Sequence, residues 1–337
     1  MNILWAGGED IDFQAIGNYS VYTTSGYFRS GWARCSIGST GSGIAAHGNP
    51  FSAGPQTSAW LTARSYLAGS SSFGGVSIPM VGLGLYGTNN ALVLGTSSSS
   101  ASKIALQTIA NGVVAQLAAE GGNSLAAESS MKFDMQVTNY GATATVNVYV
   151  NGTLVINFTG NVAVAGMTDF DHVYLGAGTL ASGGQGQYSE FLVADSDTRA
   201  LLGVQTLALN GAGTTTQWSN NTYTNINGIS YSDANPTYVN TTAKDQEYTV
   251  TAPTPAVFSV IGVVQSARAC IPSGSTPTAL KLGYGSGGVG YFGTGASKSP
   301  TVGFADYQQI DQINPITSTT WVSADLAAPL QLDMQSS

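Results

Sequence analysis

Apolar and polar residues alternate along much of the chain. In Met131–Thr138 (MKFDMQVT), Met131, Phe133, Met135 and Val137 point one way, and Lys132, Asp134, Gln136 and Thr138 the other. That period of two marks a strand with one face in a core. Thr145–Phe158 (TVNVYVNGTLVINF) repeats the pattern on both sides of Asn151-Gly152. Val146, Val148 and Val150 share a face on the first arm, and Leu154, Ile156 and Phe158 on the second. Asn-Gly supplies the two positive-φ residues of a type I′ turn, so these segments predict a hairpin and, with Met131–Thr138, a meander.

Residues 103–120 (KIALQTIANGVVAQLAAE) are rich in Ala and Leu and invite a helix. Asn111-Gly112 interrupts them, and a Gly inside a helix costs about 1 kcal/mol. Ile104, Leu106 and Thr108 alternate before the pair, and Val114, Gln116 and Ala118 after it, so a second hairpin is expected. Further strands are expected at Gly31–Ile37, Ser58–Tyr66, Ile78–Tyr86, Ala91–Gly95, His172–Gly176 and Tyr188–Val193, spaced as in a sandwich. Asp195–Leu209 suggests a short helix capped by Asp195 or Ser196 and limited by Gly203.

The polar run Asn210–Thr216 (NGAGTTT) suggests a linker. The division expected is residues 1–210 as a sandwich, 211–217 as linker and 218–337 as a smaller β domain. That domain has strands near Tyr248–Thr251, Ala256–Val264, Leu280–Tyr284 and Gly290–Gly293, with Trp218 and Trp321 sharing its core and a closing strand or arm to Ser337.

Composition sharpens this picture. Of 337 residues only 8% are charged, against roughly 25% in ordinary soluble proteins, while Gly numbers 43. Neutral hydroxyl and amide groups therefore carry the wet surface, which suits strands and turns. A net charge of −8 and the absence of a basic cluster argue against nucleic acid and against an anionic membrane surface. The N-terminus MNILWAGGEDIDF lacks a basic leader, and no apolar run reaches the roughly 18 residues of a membrane helix. Cys35 and Cys270 have no paired spacing and read as two thiols.

The order FDMQVT, VNVYVNGTLVINF, FDHVYLG and YSEFLVADSDTR resembles the C-terminal half of a laminin-G-like, concanavalin A-like sandwich. More narrowly, Asn2–Phe13 before such a sandwich, with Leu280–Gly288 (LKLGYGSGG) and Ile313–Trp321 (INPITSTTW) after it, resembles structural proteins of tailed bacteriophages. The resemblance implies an all-β protein, a jelly-roll sandwich followed by a smaller β domain. It also implies a virion component made in the bacterial host cytoplasm: a capsid decoration, or a tail, collar or fibre subunit. On this expectation the chain is a homo-oligomer that contacts other virion proteins. It has no cofactor and no metal and is not an enzyme. The alternative is a glycan-binding module for host attachment. The calcium-binding cluster of some concanavalin-type sandwiches is not recognisable, since Asp169 and Asp171 alone are weak.

Other candidate chemistry is thin. Gly82, Gly84 and Gly87, and again Gly283, Gly285 and Gly288, match GxGxxG, but a strand pattern follows each where a dinucleotide site needs a helix. Glu190, Asp195 and Asp197 are the nearest to a glycosidase carboxylate set, although pairing of Asp195 or Asp197 with Arg199 is favoured. His47 and His172 are the only histidines and form no recognisable catalytic spacing. Tyrosines in Ser/Gly/Asn-rich loops make adaptable contact surfaces, so Tyr223, Tyr231, Tyr238, Tyr284, Tyr291 and Phe292 are the expected contact residues.

Overall fold

The computed structural model describes residues 1–7, 12–15, 20–22, 35–38, 43–68, 77–126, 129–177, 185–200, 204–205, 207–220, 236–253, 259–327 and 330–337. The chain divides into two compact units, Met1–Val204 and Gln205–Ser337.

In chain order the first unit forms β1 (Ile3–Gly7), β2 (Gln14–Ala15), β3 (Ser20–Tyr22), β4 (Cys35–Gly38), β5 (Gly43–His47), β6 (Ala59–Ala68), β7 (Pro79–Gly84) and β8 (Ala91–Ser97). It continues with β9 (Ser100–Ala110), β10 (Val113–Ala119), β11 (Ser130–Thr138), β12 (Ala144–Val150), β13 (Thr153–Gly160), β14 (His172–Ala177) and β15 (Gln185–Ala194). One sheet runs β13-β12-β11-β6-β15-β4-β3, with β1 also paired to β15, and the other runs β10-β9-β8-β7-β14-β5-β2. This is a jelly-roll sandwich.

The period-two pattern decides what fills it. Leu61, Phe133, Met135, Val146 and Val148 from the first sheet meet Val81, Leu83, Leu92, Leu94, Leu106, Val173 and Leu175 from the second in one core. Each such side chain contributes about 1.5–3 kcal/mol on burial. The two expected hairpins are present: Asn111 and Gly112 have φ of 50° and 81°, and Asn151 and Gly152 have 49° and 82°. Positive φ at both positions is what a type I′ turn needs, and it overrides the helix propensity of residues 103–120.

The second unit forms β16 (Leu209–Thr216), β17 (Asp245–Val250), β18 (Val263–Ala269), β19 (Leu280–Ser286), β20 (Val289–Tyr291), β21 (Ser297–Lys298) and β22 (Ala305–Asp311). β23 (Ile313–Asn314), β24 (Thr319–Thr320), the helix α1 (Ser323–Ala327) and β25 (Gln331–Ser336) complete it. Its main sheet runs β16-β17-β25-β19-β20, with β21 beside β19, and β18 pairs with β22. Val250, Tyr284, Trp321, Leu326 and Leu330 make its core.

Several expectations change here. The run Asn210–Thr216 is an edge strand, β16, because its alternating residues pair with β17. The described residues of Asp195–Leu209 hold no helix; Asp195 instead accepts the Asn2 backbone N–H at 2.7 Å. Trp218 lies outside the Trp321 core and donates its indole N–H to the Lys244 carbonyl at 3.0 Å. The strand expected at Ala256–Val264 falls partly outside the described residues and begins at Val263, and residues 31–34 of another lie outside them. Among the described residues no helix is long and apolar enough to cross a membrane.

Candidate functional site: a histidine and tyrosine cluster on the seven-stranded sheet

Alternation sends Val173 and Leu175 of β14 into the core, so His172, Tyr174 and Gly176 face outward. β14 lies between β7 and β5, with His172 opposite Gly84 and Tyr174 opposite both Gly82 and His47. The chain's two histidines thus share one face. Their rings are 5.4 Å apart, centroid to centroid. Tyr86, in the turn after β7, stacks on His172 at 4.6 Å with planes 16° apart and meets His47 edge-on at 5.1 Å.

Glycines make this arrangement possible. A side chain at Gly84 would collide with the Tyr174 ring, and one at Gly82 with the backbone of β8. The GxGxxG match at Gly82, Gly84 and Gly87 is therefore a packing device under an aromatic cluster, set between two strands. Beside it, Ala91, Val93, Ile109 and Tyr174 form a second small apolar cluster.

The hydrogen bonds fix the tautomers. Asp171 Oδ1 lies 2.6 Å from His172 Nδ1 and accepts the Tyr86 backbone N–H at 2.8 Å. Burial opposes ionisation of Asp171, but these bonds and the His172 charge together hold it below the usual carboxylate range. An ionised carboxylate only accepts, so His172 Nδ1 carries the proton. His172 is fully buried, and its Nε2 has no hydrogen-bond partner. His47 Nδ1 lies 2.9 Å from the Gly48 carbonyl and must donate to it, which leaves Nε2 with a lone pair. Burial, helped by His172, pushes the His47 pKa down against the Gly48 carbonyl and Asp171. His47 is thus a neutral imidazole with a free basic nitrogen, which is the state of a general base. Tyr174 donates to the Leu85 carbonyl at 2.6 Å, and burial followed by Asp171 pushes its pKa up, so it stays a phenol. Tyr86 is 54% exposed and supplies an open ring face beside the base.

The three acids singled out from sequence do not converge. Glu190 Oε2 pairs with Arg64 Nε at 2.8 Å. Asp195 holds Asn2, and Asp197 takes Arg199 Nη2 at 2.6 Å, the pairing favoured from sequence. Of the expected contact residues, Tyr238 is exposed, and Tyr291 and Phe292 are half-buried. Tyr284 is wholly buried against Trp321 at 5.1 Å and serves the core of the second unit, so it offers no contact surface. Tyr223 and Tyr231 lie outside the described residues. Cys270 is half-buried. Among the described residues no group of three or more His, Cys, Asp or Glu is placed to hold a metal ion. Sequence spacing missed the histidine cluster because its members come from β5, the turn after β7 and β14, which only the sheet order brings together.

No family model matches the chain, and no curated protein matches it. Solved structures are similar to part of the chain. An endo-β-1,4-glucuronan lyase from the fungus Trichoderma reesei is 11% identical over 58% of this chain and 96% of that one, with TM-score 0.43. Alginate lyase Aly36B is 9% identical over 61% of this chain and 100% of that one, with TM-score 0.37. The binding domain of Paraclostridial Mosquitocidal Protein 1 is 8% identical over 57% of this chain and about half (48%) of that one, with TM-score 0.38. The all-β jelly-roll class stands. The expectation of a chain that is not an enzyme is corrected to an open one: the solved structures it is similar to include two lyases.

Proposed function

We propose that the first unit binds a saccharide against Tyr86 and performs acid–base chemistry on it with His47 as the base. The observation that supports this reading is the meeting of both histidines with Asp171 and an exposed tyrosine on one sheet face. An exposed aromatic ring stacks on the C–H face of a sugar. A neutral imidazole beside it takes a proton. Two-carboxylate glycoside hydrolysis has no counterpart here, since the one acid of the cluster, Asp171, already accepts two hydrogen bonds. Elimination needs only a base and an acid: His47 takes the proton on the carbon next to a uronate carboxylate, the glycosidic oxygen leaves with a proton from the Tyr86 phenol or water, and a C=C bond forms. The virion assignment adds a place for such a unit, host-surface attachment, and rests on the sequence resemblance alone.

The test is incubation of the purified chain with a panel of uronate-containing and neutral polysaccharides, following new ultraviolet absorbance from the C=C bond and saturable binding. The expected result is product from a uronate polymer, lost in His47→Ala. Binding without product reduces the site to a recognition surface, and neither binding nor product across the panel overturns the reading.

A further inference from the structure

Strand β25 places Asp333 directly opposite Glu247 of β17 and Gly283 of β19. Opposed residues in a sheet project to the same face with Cβ atoms about 4.5–5.5 Å apart. Asp333 and Glu247 therefore stand side by side, on the face away from Tyr248 and Leu332. Both are buried, Asp333 at 0% and Glu247 at 1% exposure. Glu247 Oε2 accepts the Thr215 N–H at 2.6 Å. Its Oε1 and both carboxyl oxygens of Asp333 make no hydrogen bond of good geometry, the Met334 N–H being only a weak donor toward Asp333.

The glycine-rich hairpin of β19 and β20 makes room for these groups. A side chain at Gly285 would run into Glu247 Oε1, and one at Gly290 into Asp333 Oδ2. The second GxGxxG match thus borders two buried carboxyl groups.

The charges facing Asp333 are few. β17 brings Glu247 and also Asp245, which accepts Gln335 Nε2 at 2.9 Å. β19 brings Lys281, whose Nζ is held at 3.0 Å from Gln335 Oε1 and 5.6 Å from the Phe292 ring centre. β20 and the residue after it bring Tyr291 and Phe292, and β16 carries no charged residue. Among the described residues no cation is paired with Asp333. Two adjacent carboxylates out of water without a counter-ion do not both stay ionised.

We propose that Asp333 and Glu247 share one proton at neutral pH, as a buried carboxyl–carboxylate pair that tightens the second unit when protonated and loosens it when the proton leaves. The Asp333 O–H donates to Glu247 Oε1; at higher pH that proton passes to solvent and two repelling carboxylates remain. The electrostatics agree: burial first, then Asp245 and Glu247, push the Asp333 pKa up to about 7, with the Met334 N–H opposing. The sign follows. A carboxyl whose folded pKa is raised holds its proton more tightly folded than unfolded, so stability is full at low pH and declines as pH rises from the unfolded value through about 7.

The experiment is hydrogen exchange by mass spectrometry on the full chain from about pH 5 to about pH 9, corrected for intrinsic exchange. The segments followed are Asp245–Val250 and Gln331–Ser336, with infrared spectroscopy alongside. Protection of both segments is expected to fall by roughly tenfold or more across neutrality, with a protonated-carboxyl band present at pH 7 and lost at higher pH. Asp333→Asn, which keeps the shape and supplies an N–H donor, removes both the band and the pH dependence. Glu247→Gln gives the same readouts should the first variant fail to fold. Flat protection with no protonated-carboxyl band overturns the proposal. So does protection that rises with calcium and falls with a chelator, which would assign the space to a cation.

Discussion

Asp171 Oδ1 accepts two hydrogen bonds at once, from His172 Nδ1 at 2.6 Å and from the Tyr86 backbone N–H at 2.8 Å. One oxygen orients a buried imidazole and pins the turn that carries the exposed ring. Asp171→Ala therefore releases both. Bonds to a charged group contribute about 1.5–3 kcal/mol, so the urea midpoint is expected to fall with the slope unchanged, and saccharide binding to be lost. A variant that unfolds and binds like the parent removes Asp171 from the site.

His47 sets the acid limb of any activity. Its pKa lies below the ordinary 6.5 because burial disfavours the imidazolium. The half-point of the acid limb in kcat/KM is therefore expected below pH 6.5. Stability has a matching sign. Between its folded and unfolded pKa values the folded chain binds fewer protons at His47, so its contribution is lost as pH falls through the unfolded value. His47→Gln flattens that part of the stability–pH curve. A half-point above pH 6.5 contradicts the assignment.

Gly84 lies under the Tyr174 ring, and its absent side chain is what lets that ring lie flat on the sheet. Gly84→Ala forces a methyl group into the ring and toward the Asn90 carbonyl. Overpacking of this kind costs about 1–3 kcal/mol. The expected result is a lower midpoint, with binding weakened more than stability alone accounts for, because Tyr174 anchors the Leu85–Thr88 turn beside Tyr86. A stability loss with full-strength binding would separate the glycine from the site.

The meander, both Asn-Gly hairpins and the sandwich class were legible because each rests on local signals, alternation of two and a turn pair with positive φ. The linker reading of Asn210–Thr216 failed where composition competed with pairing: a Gly/Thr run makes a loop alone but an edge strand when β17 offers a partner. The contact role of Tyr284 failed because local composition does not show which strand is central, and β19 is flanked by β25 and β20. The histidine cluster and the Asp333–Glu247 pair were invisible for a related reason. Each depends on antiparallel register between strands remote in sequence, and no spacing rule encodes that.

Glu190 shows the same gap between local pattern and local conformation, and its energetics have a decidable sign. It lies in an otherwise regular strand with φ of +53°, at the register shift between Ser189 and Leu192. A left-handed conformation costs an ordinary residue about 1–2 kcal/mol, so Glu190→Gly relieves strain. The same change removes the carboxylate that meets Arg64 Nε at 2.8 Å, with Glu190 only 2% exposed. Breaking a buried pair costs about 3–5 kcal/mol, toward the lower figure here because Arg64 retains some access to water. Loss exceeds relief, and Glu190→Gly is expected to be less stable by about 1–2 kcal/mol, the lower pair figure of about 3 less the strain of about 1–2. Adding Arg64→Leu removes the stranded guanidinium and is expected to restore most of that loss, as a double-mutant cycle in denaturant would measure. A single Glu190→Gly variant more stable than the parent would mean that the ion pair contributes less than the backbone strain that accompanies it.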